Sequence, residues 1–194
     1  MTADKKPEYL AGKLLLAMPM MSDLRFHKAV IFMCAHDENG AMGLVINQKL
    51  PDLDFSQLLK QLKITSDIKL DMPQRAVPVL NGGPVENSRG FLLHSSEFKQ
   101  NDTILINAQC SVTGTLEALK EVAIGKGPNN LLFILGYAGW GAGQLEHEIQ
   151  DNAWLVTDPD PEIIFTASPD EKWTLAIQKM GINPAMLSGS AGRA

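Results

Sequence analysis

The stretch with the most chemistry to offer is Gly136 to Leu155, GYAGWGAGQLEHEIQDNAWL. It holds four glycines (Gly136, Gly139, Gly141, Gly143), interleaved with Tyr137 and Trp140 and followed by Gln144, Glu146, His147, Glu148 and Asp151. His147-Glu148-Ile149-Gln150-Asp151 reads H-E-x-x-D, short of the H-E-x-x-H that places two zinc ligands and a base on one helix face. His147 and Asp151 stand four apart and could share a metal, but no third ligand is in reach, so no metal is expected. Glu146 and Glu148 point about 200° apart on a helix, too far to act as an acid/base pair on one substrate. Residues 139–144 read Gly-Trp-Gly-Ala-Gly-Gln, so a dinucleotide fingerprint fails at Gln144 and a P-loop lacks its Lys-Ser or Lys-Thr. A helix start could still hold an anion, but the carboxylates that follow already answer its dipole. No cofactor is expected. Two readings remain for the stretch: a tight glycine turn packing Tyr137, Trp140 and Trp154 as an aromatic cluster, or a small-ligand pocket.

Elsewhere the reactive residues are sparse. There is no G-x-S-x-G nucleophile elbow. Cys34 and Cys110 lie in apolar runs without flanking cations, which predicts buried, inert, reduced thiols. His94 follows Leu92 at period two, near the turn Asn81-Gly82-Gly83-Pro84; it could be a general base, but a hydrogen-bonded structural histidine is the stronger expectation. His36 opens the acidic turn His36-Asp37-Glu38-Asn39-Gly40, where local hydrogen bonding is expected.

The elements that must position these residues follow from periodicity. Strands are predicted over Lys13–Met20, Ala29–Ala35 and Ala41–Asn47, the last two joined as a hairpin at Asn39-Gly40. Ser22–His27 is a short connection with room for one helical turn. Asp54 and Gln57 form a capping box for a helix over Phe55–Leu62, and residues 63–75 read as a loop. Val77–Leu80 is a strand placed at an edge by Pro78. Arg89–Ser95 and Thr103–Ala108 are strands, with Cys110–Val112 as an extension. Thr115–Ile124 is a helix facing the core with Leu116, Leu119, Val122 and Ala123. Strand Asn130–Leu135 leads into a glycine loop, then helix Gly143–Asn152, strand Trp154–Thr157, strand Glu162–Phe165 and a helix from Pro169 to Met180 capped by Gly181. This order lacks regular βαβ alternation, so the fold class is α+β with a mixed, largely antiparallel sheet. The chain is read as one domain over residues 1–194 with loose ends at 1–10 and 188–194.

The 194 residues are 45% hydrophobic and 20% charged, with a net charge of −5. Dispersed cations and an acidic balance disfavour nucleic acid as a partner. No apolar run nears the roughly 20 residues of a membrane span. MTADKKPEYLAGK has no apolar leader core. With two reduced cysteines, these point to a cytoplasmic protein.

Three segments together carry a family likeness: AxPxMxDxxFxxAV leading to HDENGAMGLVIN (Ala17 to Asn47), LNGGPVENSRGFLLH (Leu80 to His94) and LGYAGWGAGQLEHEIQDNAW (Leu135 to Trp154). In order and spacing the chain resembles the AlgH/YqgE family from about Leu14 to the terminal SGSAGRA. That resemblance implies a bifurcated, partly barrel-like sheet surrounded by helices, and a proposed role in transcriptional regulation without an established reaction. By motif it marks His36, Gly40, Gly43, Asn47, Gly82, Gly83, Pro84, His94, Gly136, Tyr137, Trp140, Gln144, Glu146 and Trp154 as residues of interest, none with a transferable catalytic role. The chain departs from the family pattern at Ala35, where a Glu is common, and at Ala29, where a Ser is common.

The leading expectation is a non-enzymatic protein that binds a small ligand or a protein partner, with a regulatory role in view. The expected pocket draws on His36, Asn47, Gly82, Gly83, His94, Tyr137, Trp140, Gln144 and Glu146. The alternatives are a hydrolase-like site using His94 or His36 with Glu146, and a transcriptional regulator whose direct contact with DNA the charge disfavours.

Overall fold

The structure is a computed structural model that describes residues 9–65 and 77–187. The expectations of a loose start over residues 1–8, of a loop through 66–75 and of a loose tail at 188–194 fall outside those ranges. Leu10, expected to be loose, is buried.

Strands β1 (Leu14–Ala17), β2 (Val30–Asp37) and β3 (Gly40–Val45) form an antiparallel meander. Their apolar runs alternate between two buried faces, so each strand is covered on both sides. The β2–β3 turn closes on the pair Asp37 and Gly40, and the Asp37 carboxylate accepts from the Asn39 amide at 2.7 Å. The segment after it is a strand that the sequence did not announce, β4 (Lys49–Asp54). Asp54 then caps α1 (Phe55–Gln61) with both bonds of the capping box in place.

Strand β5 (Pro78–Asn81) is not at an edge: it lies between β4 and β9. Pro78 is tolerated because it is the first residue of the strand. Strand β6 (Val85–Ser95) starts four residues earlier than expected, since Val85 already pairs with Tyr137. The run Thr103–Ala108 is strand over β7 (Ile104–Leu105) alone, and β8 (Cys110–Thr113) returns antiparallel to it rather than extending it. Helix α2 (Leu116–Ala123) buries Ala118, Leu119, Val122 and Ala123 and leaves Leu116 exposed.

The largest revision concerns the glycines. Gly136 to Gly141 are not a loop but the second half of an 11-residue strand, β9 (Leu131–Gly141). Helix α3 (Gln144–Gln150) and strand β10 (Trp154–Thr157) follow. Glu162–Phe165, expected as strand, falls within a π-helical turn over Glu162–Thr166. Helix α4 (Pro169–Lys179) closes the described chain except for a final short 3-10 turn.

Among the described residues the strand order is β10-β1-β2-β3-β9-β6-β8-β7. The sheet forks at β9. Its Ala138–Gly141 half pairs antiparallel with β3, whereas its Phe133–Leu135 half pairs parallel with β5. Gly82 fills the fork: its N–H donates to the Leu135 carbonyl at 2.8 Å and its carbonyl accepts from Val45 N–H at 3.0 Å. A Cβ there would lie 2.2 Å from the Gly136 oxygen, so glycine is required by close approach. The result is the α+β fold expected, with a curled, largely antiparallel, bifurcated sheet. Its inner face packs Leu14, Phe32, Leu44 and Ile134 against Trp173 and Ile177 of α4. One outer face is covered by Leu145 of α3, the other by α1 and α2.

Two register slips decide which residues reach α3. Along β9, Leu132 and Ile134 face the inner core. At Gly136, φ is +75°, and the pairing with β6 shifts. After this bulge Tyr137 points inward onto Phe91, with ring centroids 6.0 Å apart, while Ala138 and Trp140 point outward. On β2 a second slip falls between Met33 and Ala35 and turns His36 to the same outer face as Ala41. A one-residue shift reverses the facing of everything beyond it.

Candidate functional site

Helix α3 stands over that outer face and serves two flanks. Gly143, in the left-handed conformation at φ +73°, starts it. Glu146 and Glu148 leave it in different directions, as two positions on a helix must.

On the first flank, Glu148 is held by two indoles. Its Oε2 accepts from Trp140 Nε1 at 2.9 Å and from Trp154 Nε1 at 2.8 Å, and its Oε1 accepts from Gln144 Nε2 at 2.9 Å. Gln144 Oε1 in turn accepts from Gly141 N–H at 3.0 Å, which ties the helix start to the end of β9. The two indoles meet edge to face, centroids 5.9 Å apart, and Phe26 meets Trp154 edge-on at 5.7 Å. Beside this clamp lies a cavity of about 440 Å³ lined by Met20, Met21, Phe26, Pro84, Gly139, Trp140 and Trp154, with Asp23, Arg25, Gln144, Asp151 and Asn152 as polar groups. Asp23 and Arg25 form a multiply bonded pair, closest at 2.7 Å, on the 3-10 turn Leu24–Phe26. The guanidinium holds the Asp23 carboxyl below its usual range. The cavity is of small-molecule size, and its accessible lining is more polar than apolar. Each of the three motif segments contributes to its wall.

On the second flank, His36 Nε2 lies 2.9 Å from Glu146 Oε1. Leu10 N–H donates to His36 Nδ1 at 3.0 Å, so Nδ1 supplies a lone pair and Nε2 carries the hydrogen given to Glu146. His36 therefore sits in a strand and bonds across the fold, rather than within its turn. Tyr9 covers it edge-on at 5.3 Å. Glu146, Lys13, Val156 and Asp158 line an open cleft of about 810 Å³ with it. Both ring nitrogens are engaged, and among the described residues the cleft's hydroxyl is that of Thr157. The pair can position the N-terminal segment; as it stands it has no free nitrogen to take a substrate proton.

The other expected pocket residues line neither cleft. His94 is fully buried. Its Nδ1 lies 2.9 Å from the Ser95 carbonyl, which can only accept, so that nitrogen carries the hydrogen. Its Nε2 then accepts from Thr113 Oγ1 at 2.8 Å. Thr113 accepts from Thr103 at 2.8 Å, and Thr103 accepts from Gln100 N–H at 2.8 Å. Burial lowers the His94 pKa from its ordinary 6.5. This chain of hydrogen bonds is closed and structural. Asn47 clamps the turn before β2, accepting from Val30 N–H and donating to the Lys28 carbonyl, both at 2.8 Å. Gly82 and Gly83 pack against the β9 backbone, and Tyr137 belongs to the inner core rather than to the tryptophan cluster.

Cys34 and Cys110 are free thiols, pushed up by burial to about 12 and about 11. His147 and Asp151 form an exposed pair 3.5 Å apart. Among the described residues no cluster of three or more His, Cys, Asp or Glu is placed to hold a metal, and no helix is long and apolar enough to cross a membrane.

Sequence reasoning passed over Glu148 and the Met20–Arg25 wall. The i, i+4 spacing of Gln144 and Glu148 was the available signal for the first. For the wall there was only a methionine-rich approach to Asp23.

A family model described as AlgH-like matches residues 14–185. A UPF0301 protein of Bradyrhizobium sp. strain BTAi1 is 50% identical over 190 residues, covering 96% of this chain and 88% of its own. A UPF0301 protein of Methylobacterium sp. strain 4-46 is also 50% identical, covering 96% and 90%. The solution structure of the AlgH protein from Pseudomonas aeruginosa matches with a TM-score of 0.75 at 40% identity, over 97% of this chain and 98% of that one. A crystal structure of a Corynebacterium diphtheriae protein, 19% identical, shares the fold over the whole of both chains with a TM-score of 0.70.

Proposed function

The chain belongs to the AlgH-like family, and from that premise we propose that it is a cytoplasmic binding protein whose ligand enters the cleft between the Met20–Phe26 segment and the Trp140–Trp154 pair. One observation carries this reading: three separated motif segments meet at one cavity whose floor is fixed by a carboxylate gripped by two indoles. The Met20, Met21 and Phe26 side of the cleft fits a small apolar group. Gln144, Asp151 and Asn152 supply neutral and acidic partners for its polar edge, and the two methionines let the wall adapt. The two free thiols support a reducing compartment. A regulatory role would follow if occupancy changed the exposed Met20–Leu24 rim, where Met20 and Leu24 present apolar side chains to a partner. The engaged nitrogens of His36 and His94 make hydrolysis the weaker reading.

The test is a thermal-shift screen of common metabolites, followed by tryptophan fluorescence titration of every hit. Two of the three tryptophans stand at the cleft, so a true ligand should perturb emission and lose affinity in Gln144→Ala and Arg25→Ala. Hits that bind those variants as well as the native chain would place the site elsewhere, and a screen without hits would remove the small-molecule reading.

A further inference from the structure

Helix α4 carries one buried charged side chain, and neither cleft uses it. Lys172 lies on the same stripe as Trp173, Ala176 and Ile177 and is 1% exposed. Its ammonium donates to the Ile164 carbonyl in the π-helical turn. Among the described residues it forms no ion pair. The carboxylates on the same two elements are turned elsewhere: Asp170 pairs with Lys49, Glu171 accepts from Ser168 Oγ at 2.6 Å, and Glu162 is exposed. A buried cation without a counter-charge is strongly disfavoured, so an anion that reached the Lys172 ammonium would be held firmly.

The same side chain lines a cavity of about 640 Å³ between the Gly127–Leu132 segment, the start of β5 and the Phe165–Pro169 bend. Pro78, Val122, Leu132 and Phe165 form an apolar patch on a wall that is otherwise mostly polar. Asn129, Asn130, Thr166 and Ser168 add neutral polar groups, and among the described residues no carboxylate lines it. Lys172 is its one charged lining residue among the described residues. This cavity shares no residue with the tryptophan cleft.

We propose that this cavity binds a small monocarboxylate with an apolar tail, the carboxylate serving as counter-ion to the Lys172 ammonium and the tail packing on Val122, Leu132 and Phe165. An apolar patch beside a buried cation suits an amphipathic monoanion, whose tail would cover the patch; a phosphate would leave that patch bare.

The experiment is calorimetric titration of the full chain with octanoate, octanol and inorganic phosphate, repeated on Lys172→Met. Octanoate should bind saturably, with octanol and phosphate each at least about tenfold weaker on the native chain. Lys172→Met, folded by circular dichroism, should lose at least about tenfold in octanoate affinity while its affinity for octanol holds or rises. Equal binding of octanoate and octanol by the native chain would overturn the proposal, and so would the absence of saturable octanoate binding or its persistence in Lys172→Met. The octanoate–octanol comparison uses the native chain and decides the matter even if the variant fails to fold.

Discussion

Trp140 and Trp154 stand edge to face, centroids 5.9 Å apart, and send both indole N–H groups to one oxygen of Glu148. Both rings are nearly buried, at 8% and 3% exposure. The carboxylate is thus what allows two indole donors to leave water on the same side of the sheet.

Glu148→Ala is expected to lower stability by about 2–4 kcal/mol, because two buried donors lose their acceptor together. Glu148→Gln keeps one acceptor oxygen and should cost less than Glu148→Ala. Urea unfolding of the three proteins checks the order; equal midpoints for Glu148→Ala and the native chain would show that the clamp is incidental.

Gly83→Ala is expected to destabilise by about 2–4 kcal/mol. Gly83 has φ +142°, and an added Cβ would sit 2.3 Å from the Tyr137 carbonyl carbon. The clash is with backbone on β9, so no side chain can move aside. Thermal unfolding would reveal it, and a variant as stable as the native chain would contradict the close approach.

Lys172 gives a pH dependence of known sign. Burial pushes its amine from the ordinary 10.5 down to about 7. The unfolded chain therefore binds more protons between those two values, and stability rises with pH across that window. It is fully present above the unfolded value and is lost as pH falls toward the folded one. The slope from this group is on the order of 1 kcal/mol per pH unit at most. Unfolding free energies at pH 7 and pH 9 should differ in the native chain and differ less in Lys172→Met.

His94 sets a second slope, on the acid side. Its folded pKa is depressed by burial below the ordinary 6.5, so the unfolded state takes up its proton first as pH falls. Stability contributed by the neutral ring is present above the unfolded value and is lost on acidification through the folded one. His94→Leu should flatten this limb while lowering stability at neutral pH, since Thr113 loses its acceptor. Denaturant midpoints taken stepwise from pH 7 to pH 5 on both proteins read it out.

His36 and Glu146 support a tautomer prediction. With Leu10 N–H donating to Nδ1, nitrogen NMR of the ring should show the hydrogen on Nε2. Glu146→Gln should cost less than about 1 kcal/mol, because that carboxylate is 41% exposed and the pair is open to water on one side. An Nδ1–H tautomer would refute the geometry at once.

Much of this fold was written locally. Asp54 and Gln57 announce α1 because a capping box needs only the four residues that form it. The apolar run of β1 and the short turn between β2 and β3 are likewise readable from neighbouring residues, as is the Pro169 start of α4. What neighbours do not encode is register. Gly136 reads as a loop in sequence because glycine is permissive, and only pairing with β6 makes it a bulge inside a continuous strand. That one slip sends Tyr137 into the inner core and Trp140 out to Glu148. The slip after Met33 does the same for His36, and the packing of α4 then sets the Lys172 ammonium on the Ile164 carbonyl. Periodicity is a property of a segment, whereas the face a side chain occupies depends on the strand it pairs with. The sequence alone could therefore name Trp140, Gln144, His36 and Glu146 but not the roles of Glu148 or Lys172, and only the packed sheet could sort them into a cleft, a hydrogen-bonded pair and a core.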